Sequence, residues 1–337
     1  MILPEEAILR KEILNCTEAT FDEMALKVFN FQYLYNDIFR SYCNLLRINP
    51  AQITSIEKIP YLPIQFFKNK AIKTTPFTEE IIFESSGTTG ATNSKHFVKE
   101  KALYEESYLN TFRQFYGHEK NYCIIGLLPS YLERQGSSLV YMVDDLIKKS
   151  SHKASGFYLY DYEKLKAVLL QNEAAKQPTI LIGVTYALID FAEKNSMQLQ
   201  HTIVMETGGM KGRREELTRK EVHHILSSKL GVEKIHSEYG MTELLSQAYS
   251  KQNGIFYYPT YMRVLVRSEE DPFDICSTVN SKNTFESGGI NIIDLANLYS
   301  CSFIATDDIG KIYADKSFEI LGRLENSDVR GCGLMIM

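Results

Sequence analysis

At 337 residues, 44% hydrophobic and 23% charged, the chain has the make-up of a globular protein rather than a disordered or fibrous one. Its net charge of −5, with both signs interspersed, argues against a dedicated nucleic-acid binder. No apolar run reaches the roughly 18–20 residues of a membrane span, the N-terminus lacks a signal-peptide pattern, and the six scattered cysteines show neither CxxC pairs nor zinc spacing, which together point to a reducing cytoplasm.

Residues 1–70 read as a helical segment. Met24, Val28, Phe31, Tyr35 and Ile38 fall at helical spacing, Thr20 or Asp22 can cap the start, and Pro50, Pro60 and Pro63 break the pattern. Ile81–Phe83 follows as a short buried strand. Residues 71–255 then alternate strands (122–128, 179–184, 202–205, 234–237) with helices (99–116, 137–149, 162–171, 186–195, 211–230). That alternation predicts an α/β core with a mostly parallel sheet and flanking helices. From 256 to 337 the pattern turns to strands and turns, an antiparallel β subdomain, the whole forming one compact body.

The strand at Ile81–Phe83 runs into Glu84 and then Ser85, Ser86, Gly87, Thr88, Thr89 and Gly90. Glycines let a backbone approach an anion closely, and amides and hydroxyls donate to phosphate oxygens, with Lys95 near enough in sequence to add charge. No Gly-Lys-Ser/Thr ends the loop, so it is not a Walker motif. Read alone, it is as well explained by a polar surface turn.

Downstream, Glu238, Tyr239, Gly240, Met241, Thr242 and Glu243 follow a strand. Tyr239 offers a face for a purine, Thr242 a phosphate contact, and Glu243 a hard oxygen ligand for Mg2+. A strand end leading into a helix is the plain alternative. Gly208 and Gly209, before Met210, Lys211 and Arg213, form a turn whose backbone can approach a nucleotide. Thr306–Gly310 reads as a β turn presenting Asp308 to ribose hydroxyls, and Arg323 after Gly322 adds a ribose or phosphate contact. His96 and His236 flank these strings and rank as secondary candidates.

In this order the four segments resemble the adenylate-forming superfamily of acyl-CoA synthetases, luciferases and peptide-synthetase adenylation domains. Residues 128–134, 136–139, 208–213 and 236–239 narrow the likeness to the LuxE-type acyl-protein synthetases, over a stretch from about residue 60 to the end. The resemblance implies the large N-terminal domain of the adenylate-forming fold, ATP and Mg2+ as cofactors, and activation of a carboxylic acid, a fatty acid, as acyl-AMP. It also implies transfer to a protein thiol and, as partner, an acyl-CoA reductase-type protein or an acyl carrier.

In the superfamily a C-terminal domain carrying a catalytic lysine follows the Gly-Arg hinge. Fourteen residues follow Arg323 in this sequence (337 − 323), so the expectation is that Lys95, Lys211, Arg213, Arg323 and Mg2+ meet the phosphoryl charge instead. Cys332 lies between Gly331 and Gly333, after Arg330. A nearby arginine lowers a thiol's pKa and flanking glycines let it swing, which suits an acyl acceptor, whereas a small packed residue is the plain alternative. An aryl-CoA ligase of the phenylacetate type and a lapsed nucleotide-binding scaffold for a reductase are the competing functions.

Overall fold

A computed structural model of the chain describes residues 3–85, 92–128, 136–208, 217–279 and 283–324. It opens with helices α1 (Pro4–Glu12), α2 (Phe21–Tyr35) and α3 (Asp37–Leu45). The apolar periodicity through Ile38 spans two helices rather than one. Asn36 is extended, and its side chain accepts from the Phe39 amide and caps α3. Thr20 precedes α2, but its hydroxyl stays with Thr17 instead of capping the helix.

After β1 (Leu62–Pro63) and the single turn α4 (Phe66–Asn69), β2 (Ile81–Glu84) and β3 (Lys95–Val98) pair as an antiparallel hairpin. Helix α5 (Lys101–Tyr116) leads into a run of β4 (Cys123–Leu127), α6 (Ser138–Ser150), β5 (Gly156–Phe157), α7 (Tyr162–Ala174), β6 (Thr179–Val184), α8 (Thr185–Lys194), β7 (Thr202–Thr207), α9 (Arg219–Leu230), β8 (Ile235–Tyr239) and β9 (Ala248–Ser250). The strands pair in the order β5-β4-β6-β7-β8-β9, parallel except for β9. Continuous apolar runs such as Cys123–Leu127 are buried along their whole length, as a sheet covered by helices demands. Helix α9 starts at Arg219, behind a Thr218–Glu221 capping box, later than the sequence spacing suggests; residues 209–216 lie outside the described set.

The rest is antiparallel: β10 (Met262–Arg267), β11 (Ile275–Cys276), β12 (Phe285–Asp294), β13 (Phe303–Tyr313) and β14 (Phe318–Arg323), ordered β11-β10-β12-β13. Strand β14 pairs along β13, and β1 pairs with it in parallel at Ile304 and Ala305. Here one expectation fails. Thr306–Gly310 is not a turn but the middle of β13, with Asp308 directly across from Arg323. Two adjacent aspartates before a glycine imitate turn chemistry. In the strand, each is met by a partner: Asp307 by Gln65, and Asp308 by Tyr239 and Arg323.

The N-terminal helices are sewn to this second sheet. The Gln32 amide donates to the carbonyls of Asn297 (3.0 Å) and Leu298 (3.1 Å) and accepts from the Ser302 amide (2.9 Å), while Asn36 donates to the Ser300 carbonyl at 2.7 Å. Two isolated bridges, Phe256 with Phe318 of β14 and Tyr257 with Tyr249 of β9, link the two large sheets. Among the described residues, no helix is long and apolar enough to cross a membrane.

Candidate active site

In a parallel sheet the carboxyl ends of the strands are where side chains converge and ligands bind. Here the ends of β7 and β8 meet the β2–β3 hairpin, the start of α6 and the β13–β14 ladder around one cavity. From the residues singled out in the sequence it gathers Ser85, Glu238, Gly240, Met241, Thr242, Glu243, Asp308 and Arg323. Segments more than two hundred positions apart thus share one wall.

Asp308 is the best-held of these. Tyr239 donates its hydroxyl to Oδ2 at 2.8 Å, and Arg323 Nε lies 3.4 Å from Oδ1. Burial still wins and raises the Asp308 carboxyl above its ordinary value, against the pull of Arg323 and Tyr239. Tyr239 is buried and stands outside the cavity lining. Its ring packs against Phe256 and Phe318, while its hydroxyl bonds Asp308.

Glu238 is buried at the end of β8 and accepts from the Thr207 hydroxyl at 2.5 Å. Burial, with the neighbouring Glu206 adding to it, pushes its carboxyl up to about 7 despite that bond. Gly240 follows, and a Cβ there would sit 2.5 Å from a Glu238 carboxylate oxygen, so a larger residue would have to displace that carboxylate. Glu243 is buried on the same wall, with its backbone carbonyl held by Asn297 at 2.8 Å.

Other predicted residues stand outside the cavity lining. Lys95 is exposed and pairs across the hairpin with Glu84 at 3.3 Å; Glu84, not Lys95, lines the cavity. His96 is buried, its Nδ1 2.9 Å from the Thr242 carbonyl, and burial lowers it to about 4, so it acts as a neutral brace for the Thr242 backbone. His236 turns to Tyr116, 3.1 Å away, and burial lowers it to about 4 as well. Gly208 ends β7 at φ +71, and its carbonyl accepts from Thr185 at 2.8 Å. Ser86, Gly87, Thr88, Thr89, Gly90, Gly209, Met210, Lys211, Arg213 and Cys332 lie outside the described residues.

The cavity also takes in Glu84 and Ser137, Ser138 and Leu139, which the sequence reading quoted without assigning them a site role, and Tyr104, Met142, Thr207 and Gln247, which it passed over. Thr207 ends an apolar strand directly before a glycine, which is a legible signal. Gln247 carried none, since one polar residue after Leu244-Leu245-Ser246 looks like any strand edge.

The donor set fits a nucleotide triphosphate. The buried Asp308 carboxylate faces Arg323, and hydroxyl-bearing Ser85, Thr207 and Thr242 line the same space, a set of acceptors and donors of the kind that ribose and phosphate groups need. Among the described residues no group of three His, Cys, Asp or Glu could hold a metal by itself. A magnesium ion shared with phosphates needs only one or two carboxylates, and Glu243 supplies a hard oxygen ligand of that kind.

A family model described as "Acyl-protein synthetase, LuxE" matches residues 14–337. No curated protein sequence matches the chain. Among solved structures the fold resembles ATP-bound MatB from Rhodopseudomonas palustris, at 16% identity and a TM-score of 0.54 over 74% of this chain and 50% of that one. It also resembles 2-hydroxyisobutyryl-CoA ligase in the postadenylation state with R3-HIB-AMP, at 12% identity and a TM-score of 0.57 over 95% of this chain and 72% of that one. A long-chain-fatty-acid-CoA ligase from Archaeoglobus fulgidus aligns at 15% identity and a TM-score of 0.51, over 72% of this chain and 51% of that one. At such identities the likeness shows the fold alone, an α/β body with a separate antiparallel sheet. The chain spans about half the length of the first and third of these relatives.

Proposed function

Since the chain belongs to the LuxE family of acyl-protein synthetases, we propose that it uses ATP to activate a carboxylic acid as an acyl-adenylate and passes the acyl group to a thiol. The observation that carries this is the single cavity into which Ser85, Gly240–Glu243, Asp308 and Arg323 converge from three distant segments.

In the first step an oxygen of the acid attacks the α-phosphorus of ATP, and the bond to pyrophosphate breaks. Asp308, aimed by Tyr239, accepts from the ribose hydroxyls. Arg323 adds positive charge beside it, and Ser85 and Thr242 donate to phosphate oxygens. Because these donors are fixed before the ligand arrives, they stabilise developing charge without reorganising. Glu243 would hold magnesium, which neutralises phosphate charge. In the second step a thiol gives up its proton to solvent, the resulting thiolate sulfur attacks the acyl carbonyl, and the bond to AMP breaks, releasing AMP as the anion.

Cys332 is the proposed acyl acceptor, a reductase-type protein or acyl carrier the proposed onward partner, and a fatty acid the first candidate substrate. The fatty-acid-CoA ligase and ATP-bound MatB among the structural neighbours support this reading without fixing the acid. The test is pyrophosphate-dependent ATP exchange on the full chain across fatty and aromatic acids. Exchange with at least one acid is expected, and exchange with none defeats the adenylation reading. A hydroxylamine-labile acyl label that survives Cys332→Ser removes that residue's role.

A further inference from the structure

A second cavity, of about 1060 Å³, lies on the other side of the β13–β14 ladder from the adenylation site. Side chains alternate along a strand, and here successive residues divide between the two spaces. Asp308 and Arg323 line the first cavity, Asp307 and Leu324 the second. The other walls of the second are the chain after α3, with Leu46, Ile48 and Ile53, and the β10–β11 connection, with Phe273 and Ile275. Phe273 is 56% exposed, an aromatic ring left open beside the cavity. The proposed chemistry uses none of this space.

The charges around it are unevenly matched. Asp307 accepts from Gln65 and Glu57 from Ser277. Arg47 and Lys58 line the cavity too, but both are exposed and neither has an ion-pair partner among the described residues.

The sequence after Leu324, which lies outside the described residues, is complementary to this space. The Leu324 amide donates to the Asp307 carbonyl at 2.8 Å, and that bond delivers the chain at the cavity wall. The sequence continues for thirteen residues (337 − 324), enough to span about 43 Å when extended. Glu325 and Asp328 come first, opposite in sign to Arg47 and Lys58, and Leu334, Met335, Ile336 and Met337 form an unbroken apolar run. Such a run marks a contact surface rather than a stretch kept in water, and methionine adapts well to an irregular cavity. A tether this short presents the run to the cavity at an effective concentration on the order of millimolar.

We propose that the second cavity is the docking site of this chain's own residues 325–337, with the apolar run against Ile53 and Phe273 and the acidic start beside Arg47 and Lys58. Docking holds Cys332 on the far side of β13 from the adenylation cavity, so acyl transfer follows release of the tail. That consequence for transfer rests on Cys332 as the acyl acceptor, whereas the docking itself does not.

The experiment is hydrogen exchange read by mass spectrometry on the full chain. Wild type is compared with Phe273→Asp in the wall and Ile336→Asp in the tail, and a synthetic peptide of residues 325–337 gives the unprotected rate. The amides of residues 333–337 should exchange at least about tenfold more slowly in wild type than in the peptide. Either variant should return them to the peptide rate while the amides of β4 and β6 keep theirs, which shows the fold intact. Alkylation of Cys332, followed in its own proteolytic fragment, should speed up by a similar factor in both variants, with ATP–pyrophosphate exchange unchanged. Peptide-like exchange in wild type, or protection that survives both substitutions, would overturn the proposal. So would protection that fades on dilution, since the cavity would then hold the tail of a second copy. Should Phe273→Asp disturb β4 and β6, Ile336→Asp decides, because it alters only the tail. Absence of ATP–pyrophosphate exchange with every acid would defeat the adenylation reading without touching the protection of the tail.

Discussion

Glu238 is charged only at a cost. Burial raises its carboxyl to about 7 from an ordinary value of 4.5, although Thr207 donates to it. A carboxyl that binds its proton more tightly when folded stabilises the fold least where both states are ionised. Between about pH 4.5 and 7 the unfolded chain sheds that proton first, so stability falls as pH rises; above 7 the loss is constant. Glu238→Gln removes the effect. Its melting temperature should gain on wild type steadily from pH 4.5 to 7 and then level off, with a plateau on the order of 3 kcal/mol. A difference independent of pH would show that the carboxyl is ordinary. Asp308→Asn should weaken ATP binding by at least about tenfold, measured by calorimetry, and lower stability by about 1–3 kcal/mol, because it takes a charge from the buried Arg323 and alters the bond to Tyr239. Asp308 and Arg323 were each legible in the sequence as candidates. That they face each other across a strand pair was not, because pairing depends on register that local residue types do not encode. Gln247 was invisible for a related reason: its place in the cavity exists only once the surrounding segments are assembled.

The strands of the parallel sheet were legible because burial on both faces imposes an unbroken apolar run. Thr179–Val184 appears where its sequence places it, and β4, β7 and β8 are found within two residues or so of the expected limits. Elements of two or three residues, β1, β5, β9 and β11, were not, since no periodicity can be read from so few positions. The aspartates of β13 were misplaced because their partners, Gln65, Tyr239 and Arg323, come from other elements. Close strand packing gives a prediction at this scale. A Cβ on Gly288 in β12 would sit 2.2 Å from the backbone oxygen of Arg267 in β10, and neither strand can give way without breaking its ladder. Gly288→Ala should therefore cost about 3 kcal/mol in denaturant unfolding. Gly156→Ala in β5, where nothing lies within 4 Å of the added carbon, should stay within about 0.5 kcal/mol of wild type. Equal costs at the two sites would contradict the packing described for the second sheet.

At the scale of the whole molecule, composition and periodicity marked residues 1–70 as helical but could not say what those helices cover. Their partners lie at the far end of the chain. Gln32 alone serves Asn297, Leu298 and Ser302, and β1 extends the sheet through β13. Gln32→Ala should destabilise the protein by about 2–4 kcal/mol, since buried carbonyls and an amide lose their partner together. The same variant should open the first helices to limited proteolysis ahead of the parallel sheet. Cleavage starting elsewhere would show that the helices are held by other means. The Gln32–Asn297 bond spans 265 positions of sequence. At about 5–20 residues per second, the finished α2 helix therefore waits on the ribosome for something on the order of 15 to 50 seconds before its counterpart is even made. During that interval Phe29 has Phe39 of α3 beside it but still lacks Phe303, and Phe21 lacks Arg263, so a face that is fully covered in the final fold stays partly open. Yield of this protein should thus depend on translation speed and on chaperones that shelter nascent helices.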